Sequence, residues 1–195
     1  MRALLLLALS ASVTVSAQPA DARSGRVSSL SVGPLGVSAV PDGGGLILSG
    51  LRYTRSVGDG PVVLQAGLTD NLAFSVFGSA SPLTEVHVAA GVATSAGPVL
   101  FTALAGPSVG WARRSSSRDP RYADGRARTV PGAVVSARAV LVVFPAVGVG
   151  VETFAHANAE VPAAGAGLTM AFGRLPGALV PNPPPRPRPA RLGAW

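Results

Sequence analysis

The sequence contains no cysteine. That excludes disulfides and a lipid-anchored cysteine. Together with a total of only two histidines, it argues against a metal site built on cysteine and histidine. Lysine is also absent: the 16 basic residues are all arginine, against 9 acidic residues. Aromatic residues make up only 5%. Beyond the N-terminal leader, no apolar run reaches the roughly 18 residues of a membrane-spanning helix. What the chain does contain is glycine and proline in quantity, 24 and 18, set among 48% hydrophobic residues. The apolar runs are therefore short and regularly interrupted.

The N-terminus has the form of a secretory leader. Arg2 supplies a minimal positive region, and Ala3 to Val15 is a leucine-dominated run of signal-core length. Val15-Ser16-Ala17 and Ala20-Asp21-Ala22 both offer small residues for cleavage. The expected cut follows Ala17, with Ala22 second. The run is shorter than the roughly 20 residues of a spanning anchor, which disfavours an uncleaved helix. Loss of residues 1–17 removes Arg2 and leaves 15 basic against 9 acidic residues.

Downstream, short segments alternate with a period of two, as strands do. Eight are predicted, at residues 44–57, 61–68, 72–80, 83–94, 99–112, 131–144, 146–157 and 162–174. In the fourth, Val86, Val88, Ala90 and Val92 alternate with Glu85, His87, Ala89 and Gly91. In the eighth, Leu168, Met170 and Phe172 oppose Gly167, Thr169 and Ala171. Large apolar residues on one face and small or polar ones on the other suit a lipid-facing exterior around a narrow lumen. The expected fold is all-β, an antiparallel up-and-down transmembrane β-barrel of 8 strands, with 10 as the alternative count.

Parity and loop length order the segments. Thr69-Asp70-Asn71, Ser95-Ala96-Gly97 and Phe144-Pro145 are expected as short periplasmic turns, and the long loop Arg113 to Val130 as an outer one. On this count Ser28 to Val40 falls outside the barrel. The division is a signal peptide at 1–17, a periplasmic lead-in at 18–43, a barrel at 44–175 and a Pro/Arg-rich tail at 176–195. The tail's seven prolines favour extended polyproline II, expected to be disordered in the periplasm and to meet an anionic partner there if any.

These features together resemble the small outer-membrane β-barrel proteins, the eight-stranded class of Gram-negative bacteria. The resemblance rests on the leader, on Gly67 to Ala73 (GLTDNLA) and on the terminal strand Gly165 to Leu175 (GAGLTMAFGRL). It implies an outer-membrane location, monomeric assembly and contact with outer-membrane lipids. The class often ends on an aromatic residue read by the assembly machinery, a place Phe172 would fill. It includes structural barrels, adhesins, small pores and a few lipid-modifying enzymes.

Two groups of residues carry candidate chemistry. The long loop holds Arg113, Arg114, Arg118, Arg121, Arg126 and Arg128, whose guanidinium forks suit the phosphates of lipopolysaccharide. A solvated polar loop is the blander alternative. Nucleic acid is not expected, because the loop's one aromatic, Tyr122, makes no stacking platform. The second group is Glu85, His87, Arg138, Glu152 and His156, all assigned to the inward faces as a lumenal polar network. If the turn at Phe144 to Ala146 uses three residues, Arg138 lies opposite Glu152, and the two are expected to pair.

No catalytic residues, cofactor or metal are expected. Barrel enzymes that deacylate lipid A place histidine and serine close together on one strand. Here His87 is followed by Val88-Ala89 and His156 by Ala157-Asn158, and there is no Gly-x-Ser-x-Gly elbow. The expected role is structural or surface-interacting and non-enzymatic. Two alternatives stand beside it: a soluble periplasmic or secreted barrel or sandwich binding an apolar ligand, and a lipid A-modifying barrel hydrolase. Against the membrane reading, the aromatic girdle is thin. Trp111 and Tyr53 lie near strand ends, with Phe74, Phe77, Phe101, Phe144, Phe154 and Phe172 as girdle or lipid-facing candidates.

Overall fold

The computed structural model describes residues 26–39, 45–71, 83–112, 128–160 and 162–179. The leader and both cleavage positions lie outside them. Eight antiparallel strands form one closed barrel in sequence order. They are β1 (Ser28–Ala39), β2 (Gly45–Ser56), β3 (Val62–Asn71), β4 (Leu83–Ala96), β5 (Val99–Ala112), β6 (Arg128–Phe144), β7 (Val147–Asn158) and β8 (Ala163–Arg174). Closure comes from β1 pairing with both β2 and β8. A closed ladder leaves no strand edge, which is what makes a barrel acceptable in lipid.

The strand count of eight is as expected, but two assignments change. Ser28–Ala39 is the first barrel strand and not a lead-in. Its Gly33-Pro34 step breaks the alternation, and the ladder absorbs the break as register shifts between Val32 and Leu35 or Gly36. Gly33 has φ +134, and a Cβ there would lie 2.7 Å from the Leu168 carbonyl oxygen, so only glycine fits the bulge. The second change concerns Thr69-Asp70-Asn71, which are strand residues of β3 and not a turn. The strand expected at Leu72 to Ala80 lies outside the described residues, and β3 pairs directly with β4.

With Ser28–Ala39 as the first strand, β2 and β3 run in the opposite sense to that expected, while β4 to β8 keep the expected sense. Gly97-Pro98 and Pro145-Ala146 turn the chain at the same end as Ser28 and Arg174, which is also where residues 57–61 join β2 to β3. Residues 72–82 and 113–127 connect strands at the other end. In a membrane barrel the short turns are periplasmic and the long loops extracellular.

The wall is inverted relative to a soluble protein. Leu168 is 66% exposed, Val88 60%, Val135 56% and Val151 55%, all pointing outward. Leu64, Val149 and Met170 join them on this face. Inside are Arg52, Glu85, Glu152 and His156, each nearly fully buried. A lipocalin-like barrel would have the opposite arrangement. Tyr53, Phe101, Phe144 and Phe172 cluster on the wall toward the terminus end, and Trp111 lies toward the loop end. Phe154 is not a girdle residue: it points inward and is buried, edge-on to His156 with ring centroids 5.4 Å apart.

The terminus end of the lumen is sealed by apolar side chains. Val27, Leu100, Val140, Val142, Ala171 and Leu175 form one cluster, with Ala178 packed against it. The backbone just past β8 folds back to make this plug: Leu175 N–H donates to Pro145 O at 3.0 Å and Leu179 N–H to Val142 O at 2.9 Å. The tail therefore does not begin as free chain at Pro176. Residues 180–195 lie outside the described part.

Candidate functional site

Buried polar residues of the lumen arrive from alternate positions of all eight strands. Inward-facing Arg52 and Thr54 belong to β2, Gln65 to β3, Glu85 and His87 to β4, Arg138 to β6, and Glu152 and His156 to β7. All five polar residues predicted to face inward do so, and all are buried. Among the described residues, two lumenal arginines stand against two glutamates, so their fixed charges balance. A buried charge without a partner would cost several kcal/mol, so balance is a condition of folding here.

The links cross the lumen. His156 Nδ1 lies 2.6 Å from Glu85 Oε1, joining β7 to β4, and the carboxylate accepts. Arg138 donates from Nη1 to Ser31 Oγ at 2.6 Å, from Nη2 to Thr54 Oγ1 at 3.3 Å and from Nε to Thr102 Oγ1 at 3.3 Å. That one guanidinium ties β6 to β1, β2 and β5. His87 Nε2 donates to Gln65 Oε1 at 3.3 Å, and Gln65 Nε2 to Thr54 Oγ1 at 2.9 Å. Room for the His87 ring exists because Gly67, opposite it on the ladder, has no Cβ to occupy the same space.

The expected ion pair needs correction. Arg138 does lie opposite Glu152 in register. Yet Arg138 spends its nitrogens on hydroxyls, and the carboxylate's ion-pair partner is Arg52, with Nη1 3.5 Å from Glu152 Oε2. Arg52 also donates to the Gly33 carbonyl, which the β1 bulge turns inward. Sequence reasoning missed Arg52. The signal was there: Leu51 and Tyr53 alternate with Arg52 and Thr54, and the parity puts Arg52 inside. Glycine-proline in β1 hid the other half of its environment.

The basic loop is only partly described. Arg113, Arg114, Arg118, Arg121 and Arg126 lie outside the described residues. Arg128 opens β6, beyond the start expected at Pro131, and is exposed opposite Ala112 at the loop end. No cluster of metal-ligating side chains occurs among the described residues. His156 and Glu85 are two parts of a hydrolytic constellation, but their side chains are 0% and 1% exposed inside the lumen. Neither side chain belongs to the outer wall.

No family model matches the sequence, and no curated protein matches it. Solved structures do match in fold. The N-terminal β-barrel domain of Pseudomonas aeruginosa OprF superposes with TM-score 0.52 at 11% identity, over 74% of this chain and 95% of that domain. Ail, the attachment invasion locus protein of Yersinia pestis, in complex with the heparin analogue sucrose octasulfate, gives 0.50 at 18% identity, over 76% and 97%. Neisserial surface protein A gives 0.50 at 10%, over 74% and 93%. The fold is that of the small eight-stranded outer-membrane β-barrels, with an apolar outer wall of the kind a lipid bilayer requires.

Proposed function

We propose that this is a non-enzymatic, closed outer-membrane barrel with a structural or surface-interaction role, whose outer loop meets the phosphates of lipopolysaccharide. The observation that carries the first half is the lumen. Charged side chains fill its middle and an apolar cluster caps its terminus end, so it is a packed core and not a conduit. A barrel of about eight strands has just enough interior for side chains. What remains available for function is the surface.

The loop supports the second half. Six arginines between Arg113 and Arg128 stand against Asp119 and Asp124, at the end opposite the short turns. Arginine pairs bidentately with phosphate, and the outer leaflet is the anionic surface nearest to it. The fold neighbour Ail has been solved with a polysulfated sugar, so a polyanion is an occupant in keeping with this fold. The buried His156–Glu85 pair favours a core staple over a hydrolase, because no lipid-facing side chain belongs to it.

Three measurements test the reading. An epitope inserted near Ser116 is expected to bind antibody on intact cells; access only after the outer membrane is opened would reverse the orientation. Replacing the six loop arginines by glutamine is expected to weaken binding of purified protein to lipopolysaccharide at least tenfold at low salt. Equal binding by wild type and variant would remove the lipopolysaccharide contact. In planar bilayers the wild-type barrel should show no steady conductance.

A further inference from the structure

The terminus end of the wall carries a second basic feature. Register places Arg55 of β2 and Arg174 of β8 directly on either side of Ser28 of β1. All three belong to the outward set of their strands, and both arginines are exposed. Their Cα atoms are two strand spacings apart, about 10 Å. Two flexible arginine stems can therefore converge over Ser28, whose hydroxyl lies 3.2 Å from that of Tyr53. Neither arginine has a carboxylate partner among the described residues. The acidic residue described at this rim, Asp59, is bound to Arg26 at 2.6 Å.

Next to Arg55 the wall dips. Ala66 stands in a row between Tyr53 on β2 and Val88 on β4. Its small side chain leaves a depression of about 380 Å³ bounded by Tyr53, Leu64 and Val88, with Arg55 at its edge. The depression is apolar and faces the bilayer. A cationic, hydroxyl-bearing rim beside an apolar trough matches one molecule in both halves: a phospholipid, phosphate at the rim and acyl chain along the wall.

We propose that Arg55, Arg174, Ser28 and Tyr53 bind the phosphate of a periplasmic-leaflet phospholipid, with one acyl chain seated over Ala66. The site is distinct from the outer loop and independent of what that loop binds. An anionic headgroup should be favoured, because two arginines outweigh the single phosphate they would neutralise.

The test is native mass spectrometry of the full barrel in non-ionic detergent with added phosphatidylglycerol or phosphatidylcholine. Wild type is expected to retain one phosphatidylglycerol, at least fivefold over phosphatidylcholine, and inorganic phosphate should not displace it. R55Q/R174Q should lose that preference. A66W, which fills the trough and keeps both arginines, should lose retention of either lipid. Heat-modifiable gel mobility reports whether each variant is folded, and R55K/R174K serves as a charge-preserving substitute should the glutamine pair fail to fold; it should keep the preference but bind more weakly. Equal retention of the two lipids by wild type, displacement by free phosphate, or an unchanged preference in R55Q/R174Q would overturn the proposal, as would unchanged retention in A66W.

Discussion

Glu152→Ala should lower the barrel's stability by about 3–5 kcal/mol, the cost of leaving a buried charge without its partner. Glu152 is 1% exposed and is the ion-pair partner of Arg52, itself 1% exposed. Removing it leaves Arg52 without its ion-pair partner in a narrow lumen. Arg52→Ala should cost a similar amount. The double variant should lose clearly less than the sum, because the second truncation removes a charge already stranded. Arg138→Ala combined with Glu152→Ala should be closer to additive, since Arg138 is held by Ser31, Thr54 and Thr102. Urea unfolding of folded barrel in phospholipid vesicles reads all of these. Additive losses for Arg52 and Glu152, with strong coupling between Arg138 and Glu152, would reinstate the cross-strand pair that register alone suggests.

The second large effect lies on the wall. Leu168 sits midway along β8, 66% exposed, between Leu35 and Val151 on the flanking strands. Leu168→Arg should cost about 2–4 kcal/mol in a bilayer, the penalty for a cation near the midplane of a barrel wall. On a water-facing wall the same change would be neutral, since surface substitutions away from special features stay within about 0.5 kcal/mol. Unfolding midpoints in vesicles distinguish the two. No loss for Leu168→Arg would mean that the wall faces water.

Much of this architecture is legible in the alternation of single strands. In β4, β7 and β8 the period of two is unbroken, and the inward residues Glu85, His87, Glu152 and His156 follow from it directly. Where the period breaks, the sequence misleads. Parity and loop length set Ser28 to Val40 outside the barrel, yet the segment is β1, with Gly33-Pro34 at its centre. A bulge accommodates it, which only pairing with both neighbours can reveal. Conversely, Thr69 to Asn71 has turn composition although it lies within β3. Local pattern does not encode which segments find partners. The ion pair shows the same limit at the level of side chains. Register put Arg138 opposite Glu152, but which nitrogen reaches which oxygen across the lumen depends on Arg52, a strand that is not adjacent to β7.

The arrangement also explains how so small a barrel holds together with few aromatic residues. Its lumen is cross-braced by links between non-adjacent strands, β7 to β4 through His156 and Glu85, and β2 to β7 through Arg52 and Glu152. The plug formed by Leu175 and its neighbours anchors the chain after the last strand. The outer wall, which takes no part in these polar links, is left to apolar side chains.

Cysteine labelling tests the lipid-facing wall most directly, and the absence of native cysteine gives a silent background. Single cysteines at Leu64, Val88, Val149, Leu168 and Met170 should each react with a membrane-confined maleimide in intact outer membranes and resist a water-soluble one. Reaction of all five with the water-soluble reagent, and none with the membrane-confined one, would contradict a membrane-spanning barrel.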